Sequence, residues 1–312
     1  MSLRRLGFVA IVGLLAWSTA ALAGEPVLLQ YKFAQGDKLI YKSVQESKHS
    51  QSFMNLKIET AATHEAIFVR NVETVNTAGT ATLKSKAERR KLKAGDFLFD
   101  SKSTDRDTTS AVGTAVTPLL ERLTGSEYEV LVSPRGTVEN VHGYFEQIGD
   151  LVNEDTVGRQ TLGAGAGKAG AAFVEQNAFV VFSDKPVSPG DKWEFPVDID
   201  LPGVGKLKGK VVYTYEADDK VGDRKTVRIG VAPEVSIEFK VEADIVKING
   251  TLSTGIVTGT VQFDPEAGRV LNSKRSISVS GRVNVDVDGM TFPVDSQMEE
   301  TTTIELLEKL PD

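Results

Sequence analysis

Ser236-Ile237-Glu238-Phe239-Lys240-Val241-Glu242-Ala243-Asp244 sets apolar and polar residues in strict alternation. Successive side chains of an extended strand point to opposite faces, so this pattern covers Ile237, Phe239, Val241 and Ala243 and leaves the charges wet. A helix would scatter the same residues around a cylinder. The stretch therefore reads as one strand of an antiparallel sheet with a single covered face. The same alternation runs outward in both directions. Val211, Tyr213 and Tyr215 lead into a polar turn at 218–223, and Val227, Ile229 and Val231 lead out of it. Nearer the N-terminus it governs Leu29, Tyr31 and Phe33, then Leu39 and Tyr41, then residues 53–61 and 66–75. Thr80 to Leu83, then Phe97 and Phe99, continue the series, and Ser133-Pro134-Arg135-Gly136 joins Tyr128, Val130 and Val132 to Val138 and Val141 as a hairpin.

Helical spacing is rarer. Val112, Val116, Leu119, Leu120 and Leu123 recur every three to four residues and predict a helix near 111–124, with Pro118 near its start or kinking it. Further helices are expected near 143–153 and 171–182. The fold class expected is mainly β, a β-rich α+β arrangement of long curved antiparallel sheets in two related halves, with a few amphipathic helices.

The division into halves rests on two echoes. Pro189-Gly190-Asp191-Lys192-Trp193-Glu194-Phe195-Pro196-Val197 repeats the logic of Gln35-Gly36-Asp37-Lys38-Leu39-Ile40-Tyr41-Lys42: a Gly-Asp-Lys turn, then an apolar strand bearing an aromatic. Asp264-Pro265-Glu266-Ala267-Gly268-Arg269-Val270 repeats Ser133-Pro134-Arg135-Gly136-Thr137-Val138. The expected organisation is a signal peptide over 1–23, an N-terminal β-rich half over 24–185 and a C-terminal antiparallel half over 186–312.

Arg4 and Arg5, the apolar run from Leu6 to Leu15 and Ala21-Leu22-Ala23 form the three parts of a secretory signal. The twin-arginine pattern fits poorly, so Sec export is expected. No Cys follows the signal, which excludes a diacylated lipoprotein, and no later segment has the length of an apolar helical span. The location expected is soluble, periplasmic or secreted, and not integral to a membrane after cleavage. With no Cys anywhere, stability must come from the core alone. The formal net charge of −7 argues against nucleic acid and anionic lipid surfaces as partners.

Several stretches resemble chemical sites. Asn284-Val285-Asp286-Val287-Asp288-Gly289, with Asp295, resembles a calcium loop in its oxygen ligands and its Gly. Asn stands where the first Asp belongs and Asp where the bidentate Glu belongs. A hairpin explains more: an Asp288-Gly289 turn pairs Val287 with Met290, Val285 with Phe292 and Val283 with Val294, all on one face. Asn284, Asp286, Asp288 and Asp295 remain the only metal candidates, and the hairpin is preferred. Gly165-Ala166-Gly167-Lys168-Ala169-Gly170 matches the dinucleotide fingerprint literally but lacks a βαβ setting. His49, His64 and His142 follow no ligand spacing. There is no Gly-x-Ser-x-Gly elbow, and no carboxylate pair stands out among 43 acidic residues. No catalytic residue and no cofactor is assigned. Trp193 is a packing residue first and a possible ligand contact second. The basic run Lys84, Lys86, Arg89, Arg90, Lys91 and Lys93 reads as a solvated edge strand.

Tyr31 with Gly36-Asp37, Phe99-Asp100-Ser101, Ser133-Pro134-Arg135-Gly136-Thr137-Val138 and Pro186-Val187-Ser188-Pro189-Gly190-Asp191-Lys192-Trp193 occur together in this chain. In that combination it resembles a family of exported bacterial β-rich proteins known only as a domain of unknown function. The resemblance implies an exported, two-half β protein and assigns no activity, cofactor or site.

The function expected is a non-catalytic binding protein, with an apolar ligand such as a lipid, or an envelope component, held between sheet and helices. The alternative is a structural or interaction module of the envelope whose partner is another envelope protein and which has no small ligand. A hydrolase of envelope polymers is the least favoured.

Overall fold

The computed structural model describes residues 25–54, 56–104, 106–143, 168–201, 204–242 and 246–311. The signal segment, most of the helix expected near 143–153 and half of the 165–170 glycine run lie outside them. The fold is mainly β, as the alternation requires. The strands are β1 (Lys38–Phe53), β2 (Leu56–Val75), β3 (Ala81–Ala94), β4 (Phe97–Asp100), β5 (Glu127–Val132) and β6 (Val138–His142), then β7 (Lys192–Leu201), β8 (Gly205–Val221), β9 (Arg224–Glu242), β10 (Val246–Asp264), β11 (Arg269–Val287) and β12 (Met290–Leu307). The helices are α1 (Ala111–Leu123) and α2 (Lys168–Gln176).

The strands form one antiparallel sheet in the order β6-β5-β3-β2-β1-β12-β11-β10-β9-β8-β7, with β4 on β3. First and last long strands pair from Ile40 opposite Leu307 to Phe53 opposite Val294, so the sheet runs unbroken from one half of the sequence into the other.

The two sequence echoes are built alike. Gly36 N–H donates to Val72 O while Val72 N–H donates to Asp37 O; Gly190 N–H donates to Tyr215 O while Tyr215 N–H donates to Asp191 O. Both glycines take positive φ, 90° and 97°, which only Gly adopts without strain. Between the two later turns runs the segment at 25–35. Tyr31 N–H donates to Pro134 O and Lys32 N–H to Gly268 O. At Gly136 a Cβ would collide with the Val180 carbonyl and the Tyr31 ring, so the close approach of three segments depends on its absence.

The main core gathers around Tyr31. Its ring lies 5.5 Å from Phe33, 5.3 Å from Phe182 and 5.6 Å from Phe263, and its hydroxyl accepts from Val180 N–H at 3.0 Å. Here the third expected helix is corrected. Helix α2 ends at Gln176, not 182, and Phe179-Val180-Val181-Phe182 is buried and lies outside helix and strand. Four consecutive buried apolar residues need cover on both sides, which a strap packed against segment 25–35 and the sheet provides. Its polar groups bond outward: Phe182 N–H donates to Arg135 O, and Phe182 O and Val181 O accept from Arg135 Nε and Trp193 Nε1.

Helix α1 matches expectation. Ser110 Oγ caps it by accepting from Gly113 N–H, and Leu120 and Val116 pack on Phe97 and Phe99. The basic run needs correction. It lies on β3, which is interior, between β2 and β5. Its charges are tolerated there because acids on neighbouring strands pair with them, Glu127 with Lys84, Asp100 with Arg89 and Glu65 with Lys91.

Candidate functional site

A cavity of about 580 Å³ lies against one face of the sheet. The lining follows the period of two: Leu39, Tyr41, Ser43 and Gln45 from β1, and Met298, Glu300, Thr302 and Ile304 from β12. Since distant strands all turn the same face towards one space, that face is concave. Tyr31, Phe33 and the end of α2, with Glu175 and Phe179, close it from the other side. The lining is divided in character. Leu201, Leu207, Val235, Ile237, Leu252 and Val279, from β7 to β11, make an apolar half. Ser43, Gln45, His64, Arg70 and Arg90, from β1 to β3, make a polar half.

The polar half holds buried charge. Arg70 and Glu175 pair at 2.9 Å with side chains 6% and 8% exposed. Tyr128 Oη donates to Glu175 Oε1 at 2.7 Å, and the Arg70 guanidinium lies 4.9 Å over the Phe179 ring. Burial works against the Arg70 charge, but Glu175, then Tyr128 and Tyr41, outweigh it and raise its pKa. Arg70 Nη1 and Arg90 Nε have no hydrogen-bond partner among the described residues. Arg90 Nη1 is 3.4 Å from His64 Nε2, and its guanidinium lies 5.4 Å from the Phe68 ring. Burial pushes the Tyr41 hydroxyl up to about 12, and it donates to Val270 O.

Burial, and then Arg90, push His64 down to about 4. The ordinary value is about 6.5, so between these pH values the unfolded chain takes a proton that the native state refuses. The contribution to stability is complete above pH 6.5 and is lost as pH falls towards 4. From pH 7 to pH 4.5 wild type is expected to lose about 2 kcal/mol more than H64Q, read from urea midpoints at both pH values. Equal losses in the two proteins would refute the assignment.

The other sequence candidates do not meet there. The hairpin register is Val287 opposite Met290, Val285 opposite Phe292 and Val283 opposite Val294. Asp295 forms a two-bond pair with Arg282, at 2.7 and 2.9 Å. Asp286 accepts from Gly289 N–H and Thr291 Oγ1, Asn284 donates to Asn249 Oδ1, and Asp288 occupies the turn at φ 52°. No cluster of three or more metal-ligating side chains occurs among the described residues. His142 bonds Asn140, and His49, four residues along β1 from Gln45, the partner of His64, stands apart from the cavity. Trp193 stacks on Tyr213 at 5.7 Å and packs against the main core rather than lining the cavity.

Sequence reasoning missed Arg70, Arg90, Glu175 and Tyr128. A signal existed for the first. Phe68, Arg70 and Val72 share the inward parity of β2, and a charge at an inward position needs a partner.

No family model matches this chain, and no curated protein does. Solved structures are similar at low identity. Pseudomonas aeruginosa OccK5 (OpdH) is 8% identical, with 88% of this chain and 100% of that one covered and a TM-score of 0.24. Pseudomonas aeruginosa OccK11 (OpdR) is 9% identical, with 90% and 100% covered and a TM-score of 0.22. A mutant of Rh. blastica porin is 11% identical, with 86% and 100% covered and a TM-score of 0.20. These neighbours are outer-membrane β-barrel porins, and against them the expected soluble, periplasmic or secreted location is withdrawn. That expectation leaned on the lack of a long apolar span, and strands that cross a bilayer alternate and show none. No helix among the described residues is long and apolar enough to cross a membrane. TM-scores of this size carry no argument about what this chain does.

Proposed function

We propose that this chain is a non-catalytic binding protein that holds an apolar, lipid-sized molecule between the concave face of its sheet and the end of α2. The observation that carries the reading is the cavity: about 580 Å³, with Leu201, Leu207, Ile237 and Leu252 along one wall. Specific small-molecule sites are typically ~300–1,000 Å³, concave and largely apolar, with a few placed polar groups. A core of ordinary density leaves few voids larger than water, so a space of this size is poor packing unless something fills it.

A second reading, an interaction module without a small ligand, draws on the strand tips. Met54, Leu56 and Ile58 on the β1–β2 hairpin and Met290 on the adjoining β11–β12 hairpin are at least half exposed.

Native mass spectrometry of the purified chain, before and after solvent extraction, separates the two. A discrete lipid-sized adduct that is lost on denaturation is expected. A bare polypeptide mass, unchanged after incubation with extracted lipids, would overturn the binding reading and leave the interaction module.

A further inference from the structure

We infer that the ligand of this cavity is an amphiphile with an acidic head group, carboxylate or phosphate, which seats between Arg70 and Arg90 while its apolar chain lies along β7–β11. The inference rests on the binding reading above and adds the head-group chemistry and its direction. Among the described residues the lining carries three arginines, Arg70, Arg90 and Arg269, against two carboxylates, Glu175 and Glu300. Arg70 and Arg90 are only 5% and 7% exposed. Each keeps a buried guanidinium nitrogen unpartnered, Nη1 of Arg70 and Nε of Arg90. Arg70 meets Glu175 as an ion pair through Nη2 and Oε2, and its Nη1 has no acceptor among the described residues. Among the described residues the side-chain acceptor beside Arg90 is neutral His64, at 3.4 Å, and no carboxylate forms an ion pair with Arg90.

Chemistry then discriminates among ligands. A pure hydrocarbon filling the cavity would seal both nitrogens against an apolar surface and leave them unsatisfied. A cationic head group would meet like charge. An acidic head group supplies the missing acceptors, and charge-assisted bonds to arginine are the strong ones. Arg90 stands opposite Ala66, four residues along β2 from Arg70, so the two Cα positions are roughly 13 Å apart along the strand. Phe68 lies between them, with the Arg90 guanidinium over its ring. The seat inferred for the head group is above the Phe68 ring, between the two guanidinium groups. The polarity of the walls fixes the direction: Ser43, Gln45 and His64 surround this end, and the aliphatic wall begins beyond it.

The test uses the full chain and displacement of a fluorescent fatty-acid probe by four ligands of one chain length: hexadecanoate, hexadecyl phosphate, hexadecanol and hexadecyltrimethylammonium. Either acid is expected to bind at least about tenfold more tightly than the alcohol, and the cation least. The comparison of the two acids tells carboxylate from phosphate. Equal binding of all four overturns the head-group inference and leaves the apolar binding reading intact. Binding of none overturns both. In R90M the preference for acid over alcohol is expected to fall about tenfold. An unchanged preference in a folded R90M overturns the seating at Arg90. If R90M does not fold, the four-ligand comparison on wild type still decides.

Discussion

Phe263→Ala is expected to cost about 3–5 kcal/mol of stability, the range for deleting a fully buried phenylalanine. Phe263 is 0% exposed on β10, 4.5 Å from Phe182 and 5.6 Å from Tyr31, ring centre to ring centre. Removal takes the aromatic contacts with both, and the void cannot close easily. Phe182 is fixed by its N–H donating to Arg135 O and its O accepting from Arg135 Nε, and Tyr31 by its hydroxyl to Val180 and its backbone to Pro134. Phe263→Leu keeps most of the volume and is expected to cost about half as much or less. Guanidinium unfolding of the three proteins with an unchanged slope measures this. A loss below about 1 kcal/mol for Phe263→Ala would mean that the site collapses freely and that the strap at 177–182 is not held as described. Because Tyr31 also lines the cavity, weaker ligand binding is expected to accompany the lost stability.

The fold was legible where one physical rule acted alone. Alternation located the strands on either side of the Asp288-Gly289 turn and set their register, because a one-residue slip would turn Val283, Val285 and Val287 to water. The turn glycines were legible because positive φ leaves few other choices. The extent of α2 was not. Phe179-Val180-Val181-Phe182 has no period of its own, and only contacts with Tyr31, Arg135 and Trp193, remote in sequence, hold it outside the helix. β3 was read as an edge because its basic residues were visible and their partners, Glu127, Asp100 and Glu65, were not. The candidate site was the least legible part. Its polar residues come from β2, β3, β5 and α2, and no spacing records that Arg70 faces Glu175 across 105 residues of sequence while Tyr128 comes between them in the chain. Only the inward parity of Arg70 was on view.

Glu175→Ala tests that cluster directly, and its expected cost is also about 3–5 kcal/mol. The substitution leaves the Arg70 guanidinium buried without the Glu175 counter-ion and removes the Glu175 carboxylate to which the Tyr128 hydroxyl donates. Glu175→Gln keeps an acceptor for Tyr128 and removes only the charge, so a smaller loss is expected. The informative partner is the double replacement Arg70→Met with Glu175→Met. Desolvating two ions costs about as much as their attraction returns, so exchanging the pair for apolar side chains of similar size is expected to cost much less than either single change, with the lost Tyr128–Glu175 hydrogen bond as the remaining penalty. The double-mutant cycle should then show strong coupling, with each single change worse than both together. Additive single losses would mean that the pair is not the unit described. If the coupling is found, stability alone does not account for a buried arginine on the wall of an apolar cavity. The account that remains is the nitrogen Glu175 does not use, Nη1 of Arg70, held ready for an acidic group from outside the chain. The double variant should then fold well and lose its preference for acidic over neutral amphiphiles. A stable double variant that keeps that preference would move the head group to Arg90 alone.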